Sequence, residues 1–363
     1  MRELVIDGQR IADDTPPYIV AEIGHNHGGS LDRAKEMVRT AKDAGASSIK
    51  VQTRHPREVY APTDEAGGYF YVSRNKQWMD AVYGKHREKL EFTVEQHADL
   101  FDYCREVGIT AFSTPFDKSS ADLLHSLDVP AFKVASGDAT NIPLIQYIAS
   151  KGKPMIVSTG GCTFGDVNRI YEALEHHTAG FALLQCSCIY PATSDILNLN
   201  IIPKYRACFP GQVVGLSTHH PRWEPSLAAY VLGARIIEHH YTNDRSWKGT
   251  DNNFSLTPSM LRELVDACEA IRDTGGDGFK QVDPREESYA TERQKSLYWA
   301  RDLAEGDTIA EDDVAIMCPG GGIPPYEIGN VVGHAVDRVC LHGERITDQD
   351  IVTIQTEAEY AIS

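Results

Sequence analysis

An alternation of short apolar strands with amphipathic helices, repeated from residue 17 to about 275, most constrains the fold of this chain. Each apolar or β-branched run ends in polar residues and is followed by a segment with helical periodicity. Such an alternation predicts a parallel sheet covered by helices. Eight strand–helix units predict an α/β fold, the closed (β/α)8 TIM barrel. The eight predicted strands are 18–24, 47–53, 110–116, 131–137, 154–160, 181–187, 212–220 and 235–241.

A helix is predicted after each strand, and several of these helices end in glycine, the usual C-terminal cap. An open doubly wound sheet is the structural alternative. No GxGxxG motif follows the first strand, which disfavours that alternative. The predicted helices are 30–45, 93–108, 119–128, 142–152, 164–177, 201–209, 225–234 and 258–275.

The repeat gives way to a polar, glycine-containing stretch, which predicts a change of domain. We expect a catalytic barrel over 1–280, a linker over 281–294 and a small domain of short strands and turns over 295–363. An insertion rich in Tyr, Arg and Lys, 54–91, follows the second strand and is expected to cover the strand ends. Trp78 and the tyrosines of the insertion are expected to pack within this cover.

The net charge of −17, from 35 basic and 52 acidic residues in a chain of 363, limits the kinds of partner. Such a surface repels nucleic acid and anionic membranes, so neither is expected as a partner. An anionic substrate would need a local basic pocket. The N-terminal segment has no signal-peptide core, and no stretch approaches the ~18 apolar residues of a membrane span. Eight cysteines without CxxC or zinc spacing indicate reduced thiols and a cytoplasmic location.

Polar residues cluster at the carboxyl ends of the predicted strands, where the catalytic groups of TIM barrels collect. An apolar strand gains no stability by ending in this way. The polar residues at or just after these ends are Glu22, Lys50, Gln52, Ser113, Thr114, Lys133, Ser136, Asp138, Ser158, Thr159, Gln185, Ser187, Tyr190, Ser217, His219, His220, Glu238, His239 and His240.

Two lysines inside strands are the sharpest chemical signal, because lysine is rarely buried without a partner. Lys50 and Lys133 each lie between two apolar residues. One interpretation is a salt bridge to a barrel carboxylate such as Glu22. The functional interpretation is a pair of ammonium groups that hold a small polyanion. A Schiff-base lysine is a third alternative, since desolvation lowers the pKa of an amine.

Two histidine pairs, His219–His220 and His239–His240, lie at the ends of strands seven and eight, which should be neighbours. Alternation lets one histidine of each pair face the barrel interior. Imidazoles from adjacent strands suit a divalent ion with open water positions. Hydrogen-bonded histidines without a metal are the alternative.

Two further motifs are interpreted as structural. Cys186 and Cys188 point the same way on a strand, but no CxxC motif or helix N-terminus supports redox chemistry, so small lining residues are expected. The PGGGI run at 319–323 lacks the GK[ST] of a phosphate loop and is interpreted as a turn.

In this order, these residues resemble the N-acetylneuraminate (sialic acid) synthase family. The match covers nearly the whole chain, and its motifs are specific in combination. The tail, with PGGGIPP and VVG, is similar to the antifreeze-like (SAF) domain of that family. YGKHREKLEF and WKGTD are similar to the animal-type branch, some members of which use a 6-phosphorylated sugar. The matching stretches are IVAEIGHNHGGSLDRAKEMVRTAKDAGASSIKVQT, GITAFSTPFDKSSADLL, VPAFKVASGDATNIPLI, GKPMIVSTGG, LLQCSCIYPA, VGLSTHH, GARIIEHHYT and WKGTDNNFSLTP.

The resemblance implies an enzyme that condenses phosphoenolpyruvate with an N-acetylmannosamine-type aldose to make a nonulosonic acid. Inorganic phosphate leaves by C–O cleavage, and a divalent metal such as Mn or Mg is needed. The resemblance also implies a domain-swapped homodimer, in which the antifreeze-like domain covers the barrel of the partner.

The resemblance also assigns roles by motif. His219 and His240 fall at metal positions, and Glu22 falls at a proposed catalytic carboxylate. The positions that bind phosphoenolpyruvate are Lys50, Gln52, Thr114, Lys133, Ser136, Ser158 and Ser217. The positions that contact the sugar are Asp138, Tyr190 and Asp251. The predicted catalytic set is Glu22, Lys50, Lys133 and Asp251.

Several residues depart from the pattern of the family. Cys188 replaces an Asn, and Cys318 replaces an Arg that reaches the acyl group of the sugar across the dimer in many bacterial members. Thr218 and His220 flank the histidine ligand, and Asn252 follows the WKGTD motif. The pyruvyl half and the metal site match the family, whereas the sugar half differs.

The departures leave the acceptor open to a different or 6-phosphorylated hexose, with or without an N-acyl group, including sugars that lead to Kdn, legionaminic or pseudaminic-type acids. Another phosphoenolpyruvate-dependent aldol synthase, making a shorter ulosonic acid, is the enzyme alternative. A catalytically dead sugar-binding protein is the alternative from a different class. The complete set of Glu22, Lys50, Lys133, His219 and His240 argues against that second alternative.

Overall fold

The computed structural model describes part of the insertion and nearly all of the remaining chain. Trp78, Tyr71 and Tyr83, expected to pack as a cover over the strand ends, lie outside the described residues. The described residues are 2–60, 62–63, 68–69 and 87–352, with the backbone alone at 62–63 and 68–69.

The chain forms two compact units, Met1–Gly275 and Gly276–Ser363. The segment 281–294, expected to be a linker, contains a short helix at Glu287–Arg293. The domain limits at 280 and 294 remain predictions. In the part of the chain that the structure describes, no helix has the length and apolar character needed to cross a membrane.

The first unit is a closed barrel of eight parallel strands, which confirms the predicted fold. Its strands follow one another around the barrel in the order β3, β4, β7, β8, β9, β10, β11, β12. The strands are β1 (Glu3–Ile6), β2 (Gln9–Ala12), β3 (Tyr18–Glu22), β4 (Ser48–Thr53), β5 (Pro62–Thr63), β6 (Gly68–Tyr69), β7 (Thr110–Pro115), β8 (Phe132–Val134), β9 (Met155–Ser158), β10 (Phe181–Cys186), β11 (Val213–Thr218), β12 (Ile236–His240), β13 (Ser296–Trp299) and β14 (Val314–Met317).

Helices follow the barrel strands as the periodicity predicts, and their apolar faces pack on the outside of the sheet. Thr93 caps one helix with a capping box, and Gly108 ends it in the left-handed conformation. The helices are α1 (Leu31–Asp43), α2 (Pro56–Val59), α3 (Val94–Val107), α4 (Lys118–Ser126), α5 (Ile142–Ala149), α6 (Phe164–Leu174), α7 (Ile201–Cys208), α8 (Glu224–Val231), α9 (Pro258–Thr274) and α10 (Glu287–Arg293).

A β-hairpin packs against the interior of the barrel and was not predicted from the sequence. Strands β1 and β2 pair antiparallel across Asp7 and Gly8, both with positive φ. Leu4, Ile6 and Ile11 of the hairpin join one apolar cluster with residues of the barrel strands. Apolar side chains therefore close the end of the barrel that the hairpin covers. The polar carboxyl ends of the strands remain as the place for a catalytic site.

The second unit has a small core of its own. Strands β13 and β14 pair antiparallel, and the PGGGI run at 319–323 contains no helix or strand, as predicted for a turn. The buried apolar residues of this core are Leu297, Trp299, Leu303, Ile309, Ile323, Val331, Val336, Cys340 and Ile346. The assignment of this unit as an antifreeze-like domain remains a prediction.

Candidate active site

The register of the barrel brings the polar strand ends together. Glu22, the last residue of β3, lies opposite His240 of β12 on one side and Lys50 of β4 on the other. Ser217 of β11 lies opposite Glu238 of β12. Side chains alternate between the two faces of a strand, so residues two apart point the same way. The pairing thus concentrates acidic, basic and imidazole side chains at one end of the barrel.

These strand ends enclose a cavity of about 660 Å³. Twelve of the thirteen site residues predicted from the sequence line the cavity, and Asp138 is absent from its described lining. Asp138 instead accepts a hydrogen bond from Asn141, and burial raises its pKa. The twelve lining residues are Glu22, Lys50, Gln52, Thr114, Lys133, Ser136, Ser158, Tyr190, Ser217, His219, His240 and Asp251.

Lys50 forms an ion pair with a barrel carboxylate and also lines the cavity. The salt-bridge interpretation therefore does not exclude a role in binding a polyanion. The Lys50 side chain forms an ion pair with Glu22 and donates to Thr114 Oγ1 at 3.1 Å. Gln52 Nε2 donates to the other oxygen of Glu22 at 3.0 Å. Burial disfavours the ammonium ion, but the negative charges of Glu22 and Glu238 prevail and raise the pKa of Lys50. Lys50 is therefore a fixed cation.

Lys133, only 2% exposed, has a different environment. Its Nζ donates to Ser158 Oγ at 2.6 Å and to the Val134 carbonyl at 2.8 Å, and lies 3.9 Å from Glu238 Oε1. Burial lowers the pKa of Lys133, and the charge of Lys50 lowers it further. An added anion would stabilise the charged form, and Lys133 is the better of the two lysines for the Schiff-base alternative.

The described lining of the cavity carries four cationic and three anionic side chains, although the whole chain has a net charge of −17. This local excess of positive charge is what an anionic substrate needs on a negative protein. Two of the cations, Arg54 and Arg87, were missed as site residues. They lie near opposite ends of the 54–91 insertion, and its richness in Arg and Lys was the signal that could have found them.

Contacts on several sides hold Arg54 in place. Its guanidinium donates to Gln52, its Nε lies 3.1 Å from Glu91 Oε1, and it stacks over the Phe116 ring at 4.0 Å. Burial raises the pKa of Glu91 to about 7, against the opposing charge of Arg54. Arg54 is thereby fixed at the cavity.

The imidazoles of His219 and His240 face each other, with ring centroids 5.2 Å apart. His219 Nδ1 donates to the Ser187 carbonyl at 2.9 Å, which leaves Nε2 as the free lone pair. Burial and the neighbouring His240 lower the pKa of His219 to about 4, so the ring is neutral at pH 7. The Tyr190 ring lies 3.8 Å from that of His219. Neutral imidazole is the form that binds a metal.

The donor set around His240 fits a divalent cation. His240 Nδ1 is buried and has no hydrogen-bond partner in the described part of the chain. The Asp251 carboxylate lies 3.7 Å from it and 3.9 Å from His25 Nδ1. Burial opposes ionisation of Asp251, but the neighbouring His25 ring and the Arg87 guanidinium prevail and lower its pKa. A buried carboxylate beside an unpartnered imidazole nitrogen is typical of a metal site.

A second group that could hold a cation lies outside the described lining of the cavity. Ligand atoms of His55, Glu58 and Asp117 all lie within 4.8 Å of one another. The oxygens of Asp117 already accept from the backbone of His55 at 2.7 Å and of Ser120 at 2.6 Å, as a helix cap does. His55, Glu58 and Asp117 thus form a second candidate metal site, which competes with the barrel histidines and whose Asp117 already caps a helix.

The remaining histidines of the two pairs point elsewhere. His239 and His220 are absent from the described lining of the cavity, as alternation predicted for one member of each pair. His220 Nε2 contacts Ser194 Oγ at 3.1 Å beside a separate surface cleft. Neither residue is placed to act on a substrate in the central cavity.

Comparison with known proteins shows which family the chain belongs to. A family model described as the NeuB family matches residues 37–280. The chain belongs to the NeuB family. The N-acetylneuraminate-9-phosphate synthase of Homo sapiens is 35% identical over 330 residues, which cover 91% of each chain. The N,N'-diacetyllegionaminic acid synthase of Legionella pneumophila is 33% identical, over 87% of this chain and 89% of that relative.

A solved structure shares the fold of this NeuB-family chain. It is the crystal structure of N-acetylneuraminic acid (sialic acid) synthetase from Leptospira borgpetersenii in complex with citrate. The two chains superpose with a TM-score of 0.70 at 30% identity, over 79% of this chain and 95% of the other. The resemblance found in the sequence is confirmed at the level of family and fold.

Proposed function

We propose that this chain condenses phosphoenolpyruvate with an N-acetylmannosamine-type aldose, forming a nonulosonic acid and inorganic phosphate. The observation that carries the proposal is the pair of buried lysines, Lys50 and Lys133, in one cavity with hydroxyl donors and a net positive lining. Relatives named as N-acetylneuraminate-9-phosphate and legionaminic acid synthases support the same chemistry.

Phosphoenolpyruvate carries a carboxylate and a phosphate, and the two lysines can hold its two ends. Lys50 and Lys133 donate to Thr114 Oγ1 and Ser158 Oγ, and these hydroxyls are free to donate to the substrate in turn. Charge-assisted hydrogen bonds of this kind are the strong ones in proteins. The arrangement orients the enol C3 for attack and keeps the phosphate in place as the leaving group.

In the proposed reaction, C3 of the enolpyruvate attacks the C1 aldehyde of the aldose. The oxocarbenium ion at C2 takes up water, and the tetrahedral intermediate loses phosphate by C–O cleavage. Glu22 positions or deprotonates this water, because its carboxylate lies in the cavity between Lys50 and Gln52. Asp251 holds a hydroxyl of the sugar close to the histidines.

His219 and His240, with Asp251 beside them, would hold a divalent metal, Mn or Mg. When bound, the metal supplies Lewis-acid polarisation of the aldehyde oxygen and a template for the sugar. The hydrogen bond from His219 Nδ1 to Ser187 fixes the ring so that Nε2 faces the cavity.

His240→Ala is expected to lower the stoichiometry of bound Mn and the activity together, because it removes an otherwise unpartnered buried ligand nitrogen. The matched control is His55→Ala, which removes the imidazole of the competing trio and should leave both quantities near wild type. Metal content after dialysis is measured by inductively coupled plasma mass spectrometry. Full Mn binding in His240→Ala, with loss in His55→Ala, would assign the metal to the trio instead.

We expect a weakened preference for the N-acetyl group of the acceptor. Cys188 and Cys318 stand where many bacterial relatives have an amide and a guanidinium, and a thiol replaces neither as a strong donor. Losing such a donor removes ~1–3 kcal/mol of discrimination. The measurement is kcat/KM for mannose, N-acetylmannosamine, its 6-phosphate and 6-deoxy diacetamido sugars. An undiminished preference for N-acetylmannosamine that persists in Cys318→Ala would show that another residue reads the acyl group.

Phosphate release from phosphoenolpyruvate, with Mn and a panel of aldoses, tests the proposed function. We expect release with N-acetylmannosamine or its 6-phosphate and none with phosphoenolpyruvate alone. Release only with shorter aldoses would indicate a synthase of shorter ulosonic acids. Sugar binding without any release would indicate a non-catalytic sugar-binding protein.

The assembly and location are part of the same proposal. The second unit acts as an antifreeze-like domain that covers the barrel of the partner in a domain-swapped homodimer. The eight cysteines are free, which suits a reducing cytoplasm where phosphoenolpyruvate is available.

A further inference from the structure

Two thiols meet in the wall of the cavity, and the condensation chemistry uses neither of them. Cys186 is the last residue of β10, and Cys188 follows two positions later, just beyond the strand, with its thiol in contact with that of Cys186. Both line the cavity; Cys186 is buried and Cys188 is exposed to it. Both are reduced in the structure. A small reagent that enters the cavity can therefore reach this thiol pair.

Gly160 makes room for this pair. A Cβ on Gly160 would overlap Cys188 Sγ, and would lie 2.8 Å from Ser136 Oγ and 3.2 Å from Cys186 Sγ. The two sulfur atoms and the hydroxyl therefore converge on the space that a side chain would fill. The Cα atoms of an i, i+2 pair on an extended chain lie about 6.5 Å apart, within the span that a disulfide bridges.

The surroundings give the two sulfurs different roles. The backbone N–H of Gly160 donates to Ser136 Oγ at 2.9 Å, which leaves the hydroxyl proton free for Cys188. Cys186 donates to Cys188, so the pKa of Cys188 falls to about 6 and that of Cys186 rises, with the charge of Lys133 acting on both. Cys188 is thus the nucleophile of the pair, and Cys186 holds the proton.

We propose that Cys188 and Cys186 form an oxidation site inside the cavity: Cys188 attacks a hydroperoxide, and Cys186 then closes a disulfide with Cys188. The convergence of both sulfurs beside Gly160 and Ser136 carries this assignment.

The chemistry balances with one hydroperoxide for each disulfide. The Cys188 thiolate attacks the peroxide and the O–O bond breaks, which gives a sulfenic acid, while the departing oxygen takes up the proton that Cys188 lost on ionising and leaves as an alcohol (or water). Cys186 Sγ then attacks Cys188 Sγ, the S–O bond breaks, and water leaves with the Cys186 proton. Two thiols are oxidised by two electrons, and the peroxide is reduced.

The disulfide would change the place where one end of phosphoenolpyruvate is held, a consequence that rests on the proposed function. Closing the bond draws both sulfurs together and removes the Cys188 acceptor of Ser136. Ser136 and Lys133 border this place, and both were assigned to phosphoenolpyruvate. Oxidation should therefore lower the turnover rate, and reduction of the disulfide should restore it.

Peroxide treatment of the full chain followed by mass spectrometry tests the proposal. Cleavage after Arg169 and Lys204 gives the fragment 170–204, which contains only these two cysteines. We expect it to lose two hydrogens on treatment and to regain them with dithiothreitol. Cys186→Ser should stop at a sulfenic acid that dimedone traps on Cys188, and Cys188→Ser should show neither product. The control Cys208→Ser should behave as wild type.

Activity is measured on the same samples, each relative to its own untreated value. We expect about a tenfold loss in oxidised wild type, the effect of one disturbed charge-assisted hydrogen bond, with recovery on reduction and none of this loss in Cys188→Ser. Dimedone on Cys186, or no disulfide in 170–204, overturns the oxidation site. A disulfide that leaves turnover unchanged overturns its effect on the substrate. If the chain turns over no phosphoenolpyruvate, the proposed function fails while the disulfide measurement still decides the site.

Discussion

Replacing Lys133 or Lys50 with alanine is expected to weaken phosphoenolpyruvate binding by about tenfold or more, since each charge-assisted hydrogen bond is worth ~1.5–3 kcal/mol. Both ammonium groups lie in the cavity, buried and directed at hydroxyl partners. Lys50→Ala also leaves Glu22 buried without its ion-pair partner, so this variant should be the less stable of the two. Calorimetric titration with phosphoenolpyruvate and the KM of the reaction measure the effect.

The control for the lysine variants is Lys153→Ala, which breaks an exposed ion pair to Asp128 outside the described lining of the cavity. It should leave the affinity for phosphoenolpyruvate unchanged. Unchanged affinity in both buried-lysine variants would remove the basis of the proposed substrate site. Borohydride trapping of a pyruvyl or sugar adduct on either lysine would replace electrostatic binding with Schiff-base chemistry, with Lys133 the first residue to examine.

Glu22→Gln is expected to lower kcat by roughly 10²–10⁴-fold, the usual contribution of general acid–base catalysis. Phosphoenolpyruvate should bind as well as before or more tightly, because Lys50 loses a competing carboxylate. The amide has the size of the carboxylate and can still accept from Gln52, which preserves the cavity. Single-turnover rates and separate binding titrations divide the two effects.

The matched control for this change is Glu224→Gln, outside the described lining of the cavity, where the carboxylate pairs with exposed Arg222. Thermal melting of both variants reports any loss of fold. A Glu22→Gln enzyme with wild-type kcat would show that water is activated by another group, and Glu238 would be the next candidate because it lies 3.9 Å from Lys133.

All eight barrel strands and the helices after them were predictable, because continuous apolar runs and helical periodicity are local signals. The hairpin β1–β2 was not predicted, although Asp7-Gly8 between alternating apolar residues is a strong turn signal. The charged residues of the hairpin suggested an exposed segment, whereas the barrel interior buries Leu4, Ile6 and Ile11.

The site was predictable where residues sit on strands and less so elsewhere. Parallel register places strand ends side by side, so the proximity of Glu22, Lys50 and His240 follows from their positions on neighbouring strands. Arg54 depends on Glu91, Gln52 and Phe116 for its position, contacts that no local pattern encodes.

The position of Asp138 was also not predictable from a strand-end rule. Its strand, β8, ends at Val134, and the chain turns through Ser136–Asp138 before the next helix. Ser136 faces the cavity, whereas Asp138 is absent from its described lining. A one-turn excursion of the backbone lies between these two residues, and the contact of Asp138 with the sugar stays a prediction.

Phosphoenolpyruvate labelled with heavy oxygen at the bridge between C2 and phosphorus distinguishes C–O cleavage from P–O cleavage. The labelled substrate is turned over with N-acetylmannosamine, or with its 6-phosphate, in the presence of Mn. We expect the label to leave entirely with inorganic phosphate, because the C–O bond breaks after C3 has attacked the aldose and water has added at C2. Label retained in the organic product, or phosphate released without a new nine-carbon acid, would contradict the proposed reaction.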